Sequence, residues 1–274
     1  MSKRPAWWLD ALRVYWPLNN LVARATSIPL LGRILFTAVR PLFSKKNFNV
    51  TYVPVNRSIR GAENMVLPAR LIEGLIQKSS HRVVLKRCSC RDSEGCGEFP
   101  VEMACLLMGD GARHIDPRIA RHVTTGEAVA HLHDRIGRGL IPMLGRVRMD
   151  DFYYGVPNEG RLLTICFCCP CCCTVLRSSR FFPKEVQDSL VRVKGLAITV
   201  DHDVCGLCGA CVEGCFMGAL RIEGGGIVRD EGLCKGCGHC AARCPEGAVT
   251  MTIDDLEGAM AEIRGRIGER ITVE

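Results

Sequence analysis

Apolar residues recur at helical spacing in three stretches of the chain. In residues 68–78, Leu71, Ile72, Leu75 and Ile76 share one face and Pro68 stands near the start, which predicts a helix. Thr124 and Glu127 form a capping box that opens a second helix running through Arg138, and Gly139 supplies its stop. Near the end, Asp254 and Glu257 fit another capping box. Behind it Leu256, Met260, Ile263 and Ile267 recur three or four apart in one apolar stripe, a helix that covers its neighbours or meets a partner. Short strand-like runs occupy residues 81–86, 219–222 and 248–253, and Gly224-Gly225-Gly226 reads as a turn. Residues 28–39 are apolar apart from Gly32, Arg33 and Thr37, too short and interrupted to span a bilayer. The pattern is that of a mixed α+β chain.

Composition sharpens this picture. With 274 residues of which 47% are hydrophobic, the chain has room for one large domain or two small ones around a real core. Its 18 cysteines do not suit a disulfide scaffold, a class that is short and secreted. Asp10, Arg13, Pro17, Asn19 and Asn20 interrupt any signal-like apolar run, so reduced thiols in an anaerobe's cytoplasm are expected. The charge is lopsided. Residues 1–46 carry eight lysines and arginines against Asp10 alone, which accounts for the whole net charge of +7. The remainder is neutral, so a broad basic surface for nucleic acid is not expected. The same segment holds Trp7, Trp8, Tyr15 and Trp16. Tryptophan, basic residues and short apolar stretches suit a docking arm, either on a membrane surface or on protein.

The cysteines carry the chemistry. Cys205, Cys208, Cys211 and Cys215 follow C-x2-C-x2-C-x3-C, and Cys234, Cys237, Cys240 and Cys244 repeat it at a constant offset of 29 residues. Gly209 and Gly238 share that offset, as do Gly218-Ala219-Leu220 and Gly247-Ala248-Val249, which argues for one structural unit used twice. Three cysteines on a turning loop supply three thiolates to a cubane cluster, and the fourth must come from elsewhere. Zinc needs four ligands, commonly as two separated pairs, and does not require two triplets each trailed by one cysteine. Cys237-Gly238-His239-Cys240 alone would pass for a thiol–disulfide motif, but Cys234 and Cys244 flank it.

Over roughly residues 196–253 the chain resembles the bacterial two-[4Fe–4S] ferredoxin family. The resemblance implies one cluster held by Cys205, Cys208, Cys211 and Cys244 and another held by Cys234, Cys237, Cys240 and Cys215. The proline that usually follows the fourth cysteine is present as Pro245; its counterpart is Phe216. So small a unit buries little apolar surface, so metal binding is expected to supply much of its folding energy.

A second cysteine-bearing region precedes this module. Cys88-Ser89-Cys90-Arg91, Cys96 and Cys105 are followed by six cysteines within residues 166–173. These elements resemble the extra N-terminal Cys-rich domain of certain longer dicluster ferredoxins, which implies at least one further iron–sulfur cluster ligated from both groups. Cys88, Cys90, Cys96 and Cys105 are the expected ligands, with Cys166 and Cys169 next. Cys168 and Cys169 point to opposite faces of an extended run and do not reach one small cluster unless the chain turns at Pro170. His114, His122, His131 and His133 read as packing or solvated side chains, with His131 and His133 on different sides of their helix. Gly109-Asp110-Gly111 reads as a turn, and residues 150–154 as a loop anchored by aromatics.

The expected organisation is a basic amphipathic arm (residues 1–50), a mixed α/β Cys-rich domain (51–190), a ferredoxin-like two-cluster module (191–253) and an amphipathic helix (254–274). The function this implies is single-electron relay between redox partner proteins, in the cytoplasm or peripheral to the inner face of the membrane. An iron–sulfur reductase whose middle-domain cluster binds substrate is the alternative.

Overall fold

The structure, a computed structural model, describes residues 4–43, 47–54, 66–157, 161–169 and 171–268. Three helices lead the chain: α1 (Trp8–Tyr15), α2 (Pro17–Thr26) and α3 (Leu31–Val39). Next come β1 (Phe48–Tyr52), α4 (Val66–Lys78), β2 (Arg82–Leu85), α5 (Ser89–Glu94), β3 (Leu106–Met108) and β4 (Ala120–His122). They are followed by α6 (Thr125–Gly137), β5 (Ile141–Val147), α7 (Arg148–Tyr154), β6 (Leu163–Cys168), α8 (Thr174–Ser179) and α9 (Lys184–Gln187). Strands β1 to β6 make one antiparallel sheet in the order β1-β5-β6-β3-β2-β4. Because the sheet starts at Phe48, residue 50 falls inside its first strand.

Strand parity sorts the side chains into two layers. Leu106 and Met108 of β3, Val84 of β2, and Leu163, Ile165 and Phe167 of β6 face α4 and α6. Leu107, Val83 and Leu85 face the other way, toward Leu9 and Leu12 of α1 and Tyr153 and Tyr154 of α7. Cys166 and Cys168 share that second side with Tyr52, Met143 and Leu176. The Thr124–Glu127 capping box is present: the Glu127 N–H donates to Thr124 Oγ1 (3.3 Å) and the Thr124 N–H donates to Glu127 Oε2 (2.8 Å).

The C-terminal part is a pseudo-symmetric unit: β7 (Leu196–Val200), α10 (Ala210–Glu213), β8 (Leu220–Glu223), β9 (Gly226–Arg229), α11 (His239–Arg243) and β10 (Val249–Ile253). β7 pairs with β10, and β8 with β9 across the turn at Gly224 and Gly225. The last helix, α12 (Leu256–Gly268), buries Met260, Ile263 and Ile267 in the cluster that also holds Leu71, Ile72 and Met251. It therefore fastens the C-terminal unit to the middle of the chain. Its cap is Asp255, not Asp254: Asp255 Oδ1 accepts from the Gly258 N–H at 2.8 Å.

His131 gives the fold a pH dependence. Its Nε2 bonds the Ala104 carbonyl (2.9 Å) and its ring meets Phe167 edge-on. Burial, then the nearby Arg135 guanidinium, lowers its pKa from 6.5 to about 4. The unfolded chain takes up a proton near pH 6.5 where the folded chain resists, so stability falls as pH drops from 6.5 to about 4. Urea midpoints measured across that window should fall less steeply toward low pH for His131→Gln than for the native chain, the difference being the one proton that His131 excludes. An equal slope in the variant would assign the dependence elsewhere. His133 instead faces out and meets Glu73 at 2.7 Å, and His122 bonds the Ile115 carbonyl.

Candidate metal centres

The two C-terminal cysteine runs lie on the loops that enter α10 and α11. Gly209 and Gly238 open these helices with positive φ (78° and 84°), a backbone bend that glycine adopts without strain. The fourth cysteines sit beside the opposite run. Burial first, then the Cys205 and Cys244 thiols, push the Cys211 thiol up. Cys240 is pushed up to about 11 by burial first, then by its neighbours Cys234, Cys215 and Cys211. Cys237 likewise is raised by burial, with Cys240, Cys215 and Cys234 close by. The repeat extends to hydrogen bonds onto sulfur: the Ala219 N–H donates to Cys215 Sγ (3.3 Å) and the Ala248 N–H to Cys244 Sγ (3.2 Å). Thiols from two loops, buried or half-buried apart from Cys208, with N–H donors aimed at sulfur, are a donor set that fits iron–sulfur clusters. Cys208 is exposed, so the first run lies at the surface.

The ten middle cysteines divide into two groups, each drawing on the early and the late elements. Six form an open ring of sulfur contacts. Cys105 meets Cys166 at 3.3 Å and Cys168 meets Cys173 at 3.3 Å. Cys88 bonds both Cys105 and Cys90, and Cys90 bonds Cys173. All six line a cavity of about 280 Å3. The other group is Cys96, Cys169, Cys171 and Cys172, whose sulfurs all lie within 4.8 Å of one another. Of the expected ligands, Cys88, Cys90, Cys105 and Cys166 thus meet in the ring, while Cys96 and Cys169 lie in the second group. Sequence reasoning left out Cys168 and Cys173 of the ring and Cys171 and Cys172 of the second group. Cys168 and Cys169 do part company, as strand parity demands; Pro170 lies outside the described residues.

Arg91 stands between the groups. It is 1% exposed, donates to the Phe167 carbonyl (2.6 Å) and the Met103 carbonyl, and bonds the Cys169 sulfur. Burial disfavours its charge, but Cys88, Cys169 and Cys105 outweigh that and raise its pKa. One fixed cation therefore stands near both groups of thiols.

Two further groups wall the cavity. The 150–154 segment is not a loop but helix α7, closed by Gly155 in the left-handed conformation (φ 67°). Its Asp150 is buried and accepts from Thr164 Oγ1 at 2.6 Å, and burial raises the carboxyl to about 7. The N-terminal helices form another wall: Trp16 Nε1 donates to Cys90 Sγ (3.2 Å), and Trp8 Nε1 to the Tyr153 carbonyl (2.6 Å). The inner face of the arm is thus part of the site. Tyr52 is buried, and its hydroxyl has no hydrogen-bond partner among the described residues. Its phenol is pushed up by burial, then by Cys168, Cys173, Cys237 and Cys166, and it shares with Cys168 and Cys173 a packed cluster that Cys166 and Cys237 also meet. Phe216 packs on it with ring centroids 5.9 Å apart. The position that departs from the family's proline thus contributes an aromatic contact toward the middle region.

A family model for a 4Fe-4S dicluster domain matches residues 204–248. This segment, with its cysteine clusters, gives the chain its iron–sulfur, ferredoxin-like character. No curated protein and no solved structure matches the chain. Among the described residues no helix is long and apolar enough to cross a membrane.

Proposed function

We propose that this protein relays single electrons between partner proteins through two [4Fe–4S] clusters in the C-terminal module and a further iron–sulfur centre in the six-cysteine ring. The observation that carries this reading is Tyr52, which shares one packed cluster with Cys168 and Cys173, and Cys166 and Cys237 pack against that same cluster. A chain of sites then runs from the surface at Cys208, through the two ferredoxin runs, to the ring. Cys205, Cys208 and Cys211 with Cys244 hold the first cluster, and Cys234, Cys237 and Cys240 with Cys215 the second. The clusters supply one-electron redox capacity; the chain's residues supply burial, N–H donors to sulfur and spacing, which tune potential. The division into arm, Cys-rich domain, module and terminal helix follows the same reading, as does kinship with the longer bacterial dicluster ferredoxins.

The outer face of the arm serves as the docking surface. Val14, Leu21, Leu30 and Ile34 are exposed there, Leu30 by 80%, with Arg13 nearby. Such a face suits a redox partner subunit or the inner membrane surface of an anaerobe's cytoplasm.

Anaerobic purification with metal analysis and electron paramagnetic resonance tests the relay. Iron above the roughly 8 atoms of two cubane clusters is expected, with a reducible signal beyond theirs. Cys105→Ser and Cys166→Ser should remove that excess and spare the ferredoxin signals. Iron unchanged in these variants would refute the third centre. A second reading, an iron–sulfur reductase, is favoured by the room inside the ring and by Asp150 and Thr164 in its wall. It requires a small molecule that changes the ring centre's spectrum.

A further inference from the structure

We infer that Cys96, Cys169, Cys171 and Cys172 bind a single tetrahedral zinc ion, separate from the iron–sulfur clusters and structural in role. Size is the first argument. Four thiolates around one zinc ion, with zinc–sulfur bonds of about 2.3 Å, stand about 3.8 Å apart. Here Cys96 Sγ and Cys171 Sγ are 3.6 Å apart and all four sulfurs lie within 4.8 Å of one another. A cubane places each thiolate outside a different corner and therefore needs a wider set. Among the described residues, no other group of three or more cysteine, histidine or acidic residues closes so tightly. The six sulfurs of the ring, by contrast, line a cavity of about 280 Å3.

The surroundings fit the same ion. The Cys96 sulfur accepts hydrogen bonds from the backbone N–H groups of Glu98 and Phe99, the kind of turn that orients a metal-bound thiolate. Arg91, permanently charged, bonds Cys169 and offsets the excess negative charge of four thiolates on a divalent ion. Cys169 and Cys172 are buried while Cys96 and Cys171 are half-buried, which leaves a way in for the metal. All four positions come from the protein, the closed arrangement of a structural zinc site. The two segments that it ties together, that of Cys96 and that of Cys169 to Cys172, also carry every cysteine of the ring. A zinc clamp there would hold the ring's two halves in register.

Metal analysis and zinc-edge X-ray absorption of the full-length chain, purified without oxygen, test this. The expected result is about one zinc per chain, bound by four sulfurs at about 2.3 Å. Cys105→Ser, in the ring, should leave that zinc in place. Cys96→Ser and Cys171→Ser should each remove most of it and lower the thermal midpoint. Native protein with less than roughly a fifth of a zinc per chain, or zinc lacking an all-sulfur shell at that distance, would overturn the inference. So would a Cys96→Ser variant that loses about four irons and keeps its zinc. None of these readouts depends on electron transfer, so failure of the relay and failure of the zinc site are told apart.

Discussion

Cys244→Ser should strip the cluster bound by the first run, not the one bound by its own. Cys244 stands close enough to Cys211 to raise its thiol, and Cys215 does the same to Cys237 and Cys240. Iron is expected to fall by up to about 4 of the roughly 8 atoms in the module, with one cluster's resonance retained. Combining variants identifies which. Adding Cys205→Ser to Cys244→Ser should cost no further iron, because both act on one cluster. Adding Cys234→Ser should cost the rest. Residues that serve one unit are non-additive and independent units add. Further loss on adding Cys205→Ser, with none on adding Cys234→Ser, would assign each fourth cysteine to its own loop.

Arg91→Met should be the most damaging substitution outside the cysteines. The guanidinium sits buried against Cys88, Cys105 and Cys169 and donates to the Met103 and Phe167 carbonyls. Methionine fills similar space but leaves those carbonyls without a donor and the thiolates without a cation. Removing one partner of a buried charge pair costs about 3–5 kcal/mol. That is a large share of a stability on the order of 5–15 kcal/mol. The expected outcome is a much lower denaturation midpoint and loss of metal from the middle region. Arg91→Lys keeps the charge and loses the forked donors, so it should fall between. Unchanged stability and metal content in Arg91→Met would remove the arginine from the account.

Much of the C-terminal module was legible because its information is local. Three cysteines spaced by two residues need only one turning loop, and the 29-residue offset repeats even in the N–H donors of Ala219 and Ala248. The Thr124 cap was legible for the same reason. The cap of α12 was missed by one position because Asp254 and Asp255 both fit the pattern; the helix start decides, and the Gly258 N–H reaches Asp255. Residues 150–154 looked like a loop because two carboxylates beside aromatics lack an apolar stripe. Burial of Tyr153 and Tyr154, with Gly155 as the stop, makes a helix of them.

Four of the ring's six cysteines were expected from sequence, but its full membership and its separation from Cys96 and Cys169 were not. The ring joins Cys88, Cys90 and Cys105 to Cys166, Cys168 and Cys173 through the sheet order β6-β3, which local pattern does not encode. Parity alone could have separated Cys166 and Cys168 from Cys169, and it did for the last pair. The bond from Trp16 to Cys90 spans 74 residues. An arm read from its charge and tryptophans as a docking device therefore also proves to be a wall of the thiol cavity. Tyr52 offered no signal, since a lone tyrosine at a strand end is usually packing.

The most direct test is anomalous X-ray scattering at the iron edge from crystals of the full chain grown without oxygen. The account predicts two four-iron sites between residues 205 and 244, with Cys244 on the cluster of Cys205, Cys208 and Cys211 and Cys215 on the other. Iron absent from that module, or each run closing its own cluster, would contradict it.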